Sequence, residues 1–114
     1  MRKSYRVKKE KDFQRVFQKG VSCANRKFVV YRLDKPGQKH FRVGLSVGKK
    51  IGNAVERNAV KRKIRACLYD MREKIEPEID FIIIARPAIS GLDSKEVYAN
   101  LEHVLKLAKI IKTK

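Results

Sequence analysis

A chain of 114 residues is enough for one compact domain with a modest core and too short for two. Lysine and arginine number 29 against 12 aspartates and glutamates, a net charge of +17, so the expected partner is a polyanion: nucleic acid or an anionic membrane surface. No run of about 18 apolar residues is present to form a membrane-spanning helix, and the basic start MRKSYRVKKEKDF lacks the apolar stretch of a signal peptide. A cytoplasmic protein without membrane contact is expected.

Residues 1–8 alternate basic and apolar positions and read as a loosely held, flexible basic arm. From Lys9 to Lys19, Phe13, Val16 and Phe17 recur at helical spacing, and Gly20 is expected as a left-handed stop. The two aromatics fit either core packing or the lining of a groove for single-stranded nucleotides. VSCANRK (21–27) is a polar connector with room for a short strand. Its Ser22, Asn25 and Arg26 could donate to phosphates or simply be solvated. FVVYRL (Phe28–Leu33) has strand composition with apolar residues on both faces, which predicts that both are covered. Lys35–Pro36–Gly37–Gln38 fits a type II turn.

A second strand is expected from His40 to about Val47. It directs Phe41, Val43, Leu45 and Val47 inward and leaves Arg42, Gly44 and Ser46 as a small, bare face. Asn53 can cap a helix running to about Lys74, with Val60, Ile64, Cys67, Leu68 and Met71 as its core stripe. IDFIIIA (Ile79–Ala85) reads as a strand buried on both faces and parallel to the strand ending near Val47. Asp93 and Glu96 form a capping box for a last helix, whose core stripe is Val97, Leu101, Val104, Leu105, Ala108 and Ile111.

The stretch Lys49–Arg65, KKIGNAVERNAVKRKIR, carries seven basic residues against the single acid Glu56. At about 100° per residue, Asn58, Lys61, Arg62 and Arg65 share an arc beside the apolar stripe, with Arg57 at its edge. Lys63 projects elsewhere and reads as a solvated charge. Arginine matches phosphate oxygens with a planar fork, lysine adds a mobile charge, and a helix N-terminus adds backbone donors. His40 and His103 are isolated, so no metal-ligand cluster or catalytic constellation is expected. Cys23 and Cys67 read as free thiols.

KIGNAVERNAVKRKIR resembles the RNR signature of the protein-subunit family of bacterial ribonuclease P. DFQRVFQKG, NRKFVVY, FRVGLSVGKK and FIIIARP follow in that family's order. The resemblance implies a single-domain α+β sandwich of order α-β-β-β-α-β-α, shared with a domain of a small-subunit ribosomal protein, with a left-handed β-α-β crossover. It implies an RNA-binding subunit that assists endonucleolytic removal of the 5′ leader of precursor tRNA, the catalytic RNA carrying the chemistry and requiring Mg²⁺. No cofactor site on the protein itself is implied. Lys49, Lys50, Asn53, Arg57, Asn58, Lys61, Arg62 and Arg65 then fall on the region facing the ribonuclease P RNA. Phe13, Phe17 and Tyr31 line the leader cleft, with Ser22, Asn25 and Arg26 beside it. The alternative is a ribosomal or general RNA-binding protein with no link to an enzyme. A DNA-binding regulator ranks last, since a strand, not a helix, precedes the basic helix.

Overall fold

The computed structural model describes residues 3–111. Three helices, α1 (Glu10–Lys19), α2 (Ala54–Asp70) and α3 (Ser94–Leu107), combine with four strands, β1 (Val21–Ala24), β2 (Phe28–Asp34), β3 (Arg42–Val47) and β4 (Ile79–Ala85). Their order is the expected α-β-β-β-α-β-α, and the short strand allowed for in the polar connector is β1. The sheet runs β1-β2-β4-β3. β4 pairs antiparallel with β2 and parallel with β3, so α2 carries the crossover between parallel neighbours. The apolar run of β4 follows from this central place: six of its seven residues are buried.

One sheet face is the core. Phe28, Val30, Val43, Val47, Phe81, Ile83 and Ala85 pack with Val60, Ile64, Cys67 and Leu68 of α2 and with Val97, Leu101, Val104 and Leu105 of α3. Both helices start with complete capping boxes, Asn53 with Glu56 and Asp93 with Glu96. α2 ends at Asp70, short of the expected Lys74. Arg72 donates from Nη1 to the carbonyl of Tyr69 and lies 3.9 Å from that ring, closing the last turn before a 3-10 turn at Arg72–Lys74.

The opposite face is only partly covered, contrary to the expectation for β2. Val29, Tyr31 and Leu33 are half-buried, because the ten-residue α1 is the single helix on that side. Val16 of α1 is fully buried there. Gly20 is not the left-handed stop expected, since its φ is −80°. Its role is close approach: a Cβ would sit 2.4 Å from the Val16 carbonyl oxygen and 2.7 Å from that of Arg32. Gly37, at φ +86°, does occupy the turn as expected, with the Gln38 N–H donating to the Lys35 carbonyl.

Strand β3 begins at Arg42, two residues later than expected, because His40 turns aside to stack on Tyr5 at 3.9 Å. That contact belongs to a docked segment. The Val7 N–H donates to the Val43 carbonyl at 3.0 Å, Val7 is buried, and Arg6 pairs with Val43 as an isolated parallel bridge. The expected arm is therefore fastened along the outer edge of β3 at Tyr5–Val7, while residues 1–2 lie outside the described residues.

Candidate nucleic-acid interface

Strand register assembles a cleft floor on the half-covered face. Ser22, Tyr31, Ile82 and Gly44 form one row across all four strands, and Ala24, Val29, Ile84 and Ser46 form the next. α1 covers the first row. The Phe13 ring lies against Gly44, where a Cβ would come within 2.6 Å of it. The supposedly bare face of β3 is thus filled at Gly44 by Phe13 and left open at Ser46. Phe17 remains 39% exposed and meets Tyr31 edge to face, ring centroids 5.0 Å apart. The second row, with no helix above it, is the open channel beside these aromatics. Of its residues, Val29 and Ile84 escaped sequence reasoning, since only the strand order places them beside Ser46 of the bare face.

The β1–β2 connection closes one end of the channel. Arg26 is exposed there, beside Lys27 and Arg86 around an open pocket. Asn25 needs correction as a phosphate donor. Its Nδ2 donates to the Asn100 carbonyl and contacts His103 Nδ1 at 3.2 Å, and its Oδ1 accepts from the Lys27 and Phe28 N–H groups. All four of its hydrogen-bonding positions are used, so it positions the loop that presents Arg26. Lys27 and Arg86, which no local pattern groups, are brought together because β4 ends beside the start of β2. The Arg86 N–H donates to the Lys27 carbonyl.

The basic stretch forms a second surface. Lys49 and Lys50 are exposed on a 3-10 turn anchored by buried Ile51. Asn53 Oδ1 is taken by the cap, accepting from the Glu56 N–H, and Glu56, the only acid nearby in sequence, is turned back on the Asn53 N–H. Asn58 and Arg62 are exposed. Arg57, Lys61 and Arg65 are half-buried, and Arg57 Nε is buried with no hydrogen-bond partner. The expected arc therefore divides, Arg62 facing outward while Lys61 and Arg65 lean over the edge of β3. Lys63 is not merely solvated: its ammonium donates to the Leu92 carbonyl and ties α2 to the loop before α3.

None of Lys49, Lys50, Arg57, Lys61, Arg62 and Arg65 forms an ion pair with a described residue. Burial lowers the pKa of Arg65, and the charge of Arg6 lowers it further. Like charges are held together here at a cost the protein itself does not offset. A sandwich with an uncompensated cationic helix on one side and an aromatic channel on the other belongs to the class of α+β nucleic-acid-binding proteins.

Comparison with known proteins narrows that class. The family model for ribonuclease P matches residues 1–109. The chain is 71% identical over 111 residues to the ribonuclease P protein component of Enterococcus faecalis, covering 97% of this chain and 94% of that one. It is 61% identical to that of Ligilactobacillus salivarius, covering 97% and 98%. The solved ribonuclease P protein of Staphylococcus aureus superposes with a TM-score of 0.90 at 46% identity, over 96% of this chain and all of the other. That of Thermotoga maritima, in complex with 1-(4-fluorophenyl)-2-thiourea, gives 0.81 at 31%, over 94% and 100%. The chain belongs to the ribonuclease P protein family. It is on that ground a subunit of an endoribonuclease ribonucleoprotein, with an RNA as its partner, and the comparisons do not favour the ribosomal alternative.

Proposed function

We propose that the protein engages two RNAs on two surfaces. The cationic helix surface, Lys49, Lys50, Asn53, Arg57, Asn58, Lys61, Arg62 and Arg65, faces the ribonuclease P RNA. The channel of Phe13, Phe17, Tyr31, Ser22 and Arg26, held in shape by Asn25, receives the single-stranded 5′ leader of precursor tRNA. The observation that carries this reading is the set of six cations with no ion-pair partner among the described residues. Phosphates at their ends would replace the missing partners and release counterions. The exposed ring of Phe17, edge-on to Tyr31, suits a base stacked in a sequence-tolerant way.

The protein's share in catalysis is then positioning and screening. Cations between two polyanions reduce their mutual repulsion, and a leader fixed in the channel presents the adjoining phosphodiester to the RNA. Divalent Mg²⁺ at the cleavage point belongs to the RNA subunit. A cytoplasmic site of action fits these partners.

Cleavage of precursor tRNA by the RNA subunit at low Mg²⁺, with and without the protein, tests the function. Marked stimulation is expected, and no stimulation would return the protein to general RNA binding. Phe17→Ala should weaken holoenzyme affinity for precursor tRNA about tenfold, the scale of one lost stacking contact. Mature tRNA should be unaffected; equal losses on both substrates would make Phe17 a packing residue only.

A further inference from the structure

We infer that His103 is a positioning residue for the leader channel: by accepting a hydrogen bond at Nδ1 it holds Asn25, and through Asn25 the loop that carries Arg26. The inference rests on the leader-binding role proposed above. His103 lies on α3, outside both RNA surfaces, with its Nδ1 3.2 Å from Asn25 Nδ2. Asn100 and His103, three residues apart on a helix, share one face, and that face meets the β1–β2 connection.

The Asn25 amide is oriented from both ends. Its Oδ1 accepts from the Lys27 N–H at 3.0 Å and from the Phe28 N–H at 2.8 Å, so its nitrogen is turned to α3. One N–H of that nitrogen donates to the Asn100 carbonyl at 2.9 Å, and the other is left for His103. An amide nitrogen can only donate, so Nδ1 of the imidazole has to accept. The ring is then neutral, with its proton on Nε2. An imidazolium carries an N–H at both nitrogens, and two donors would face each other across this contact. His103 is exposed, so a protonated ring is free to turn into water, and Asn25 then keeps one of its two ties to α3.

The loop that Asn25 holds carries the cations at the end of the channel. Arg26 is exposed on it, the Arg86 guanidinium donates to the Asn25 carbonyl at 3.2 Å, and the Lys27 ammonium donates to the Ala88 carbonyl at 3.1 Å. A shift of Asn25 is therefore felt at all three. The charged groups on the elements around His103 are Arg26, Lys27 and Arg86 on the channel side and Glu96, Glu102 and Lys106 on α3. Glu96 is held in its capping box, and Glu102 is shared between Lys74 and Lys106 at 4.0 and 3.9 Å. None of them forms an ion pair with the ring. The consequence is a hold on the leader that is full with a neutral ring and weaker with a charged one, while mature tRNA, which has no leader, is indifferent.

Two substitutions separate the acceptor from the charge. His103→Asn keeps an acceptor where Nδ1 stands and cannot gain a proton, and His103→Ala removes it. His40, the other histidine, still titrates in both variants. The first arm uses the free protein and follows the amide signals of Lys27 and Phe28 from about pH 8 to about pH 5.5, across the range in which imidazoles take up a proton. These signals should move in the parent and stay in place in His103→Asn. The second arm uses the holoenzyme and measures equilibrium affinity for precursor and mature tRNA at the two ends of that range. The preference of the parent for precursor tRNA should fall about fivefold on acidification, the factor of one neutral hydrogen bond. His103→Asn should keep the full preference at both ends, and His103→Ala should show the reduced one at both. Static loop signals in the parent, a preference that does not change with pH, or a fall of the same size in His103→Asn overturns the inference while the leader role stands. A loop that titrates in a holoenzyme with no preference for precursor tRNA at either pH overturns the leader role, and the inference with it.

Discussion

Arg42→Ala is expected to destabilise the protein by about 3–5 kcal/mol, because it strands a buried carboxylate. Asp80 lies on central strand β4 and is 2% exposed. Arg42 meets it with two parallel donors, Nε to Oδ1 at 3.0 Å and Nη2 to Oδ2, the fork geometry that suits carboxylates. The same guanidinium reaches Asp12 of α1, with Nη1 3.7 Å from Oδ2. The hydrogen bond with Asp80 is the main reason the Arg42 pKa is raised, against the opposing effect of burial. Thermal or urea denaturation measures the loss, with a fall in Tm on the order of 10 °C or more for a domain this size. The double substitution Arg42→Met with Asp80→Leu removes both charges and should recover most of it. A single variant as stable as the parent, or a double variant no better than the single, would show that Asp80 is solvated.

The second large effect is expected on RNA affinity. Lys50 and Arg62 are exposed and have no ion pair among the described residues, so replacing both with alanine should leave the melting curve within about 0.5 kcal/mol of the parent. Affinity for the ribonuclease P RNA should nevertheless fall about a hundredfold near physiological salt, each residue supplying the factor of about ten that goes with a charge-assisted contact. The slope of log K against log salt should flatten by about 1 per residue. Filter binding or fluorescence titration over a salt series separates this from misfolding. An unchanged slope would move the RNA contact off this part of the surface.

The periodicities carried most of the architecture. The stripe of α2 from Val60 to Leu68, both capping boxes and the doubly buried run of β4 are local patterns with one physical meaning each. The departures came where a tertiary neighbour decided the outcome. Gly20 looks like a left-handed helix stop in sequence, but its constraint is close approach to two carbonyls, that of Val16 and that of Arg32, the second twelve residues on. Arg6 looked like part of a free arm, because nothing local reveals that Val7 will donate to Val43. Asn25 has the chemistry of a phosphate donor, yet Asn100 and His103, about 75 residues away, take its amide. The resemblance supplied the two RNA partners in outline. It did not divide the cationic helix into an outward face at Arg62 and a face leaning over β3 at Lys61 and Arg65, which depends on where β3 and the N-terminal segment come to rest.

The central place of β4 bears on how the protein is made. Strands β1 to β3 leave the ribosome well before residues 79–85, yet β2 and β3 join one sheet only when β4 lies between them. Neither row of the channel floor is complete in a nascent chain that lacks this strand, since Ile82 and Ile84 are the links across the middle. Until then two apolar strand edges stand open, the condition in which growing chains pair wrongly with one another. The positive charge that suits the finished protein to RNA is already heavy in the first 65 residues, so unfinished copies repel each other during that interval.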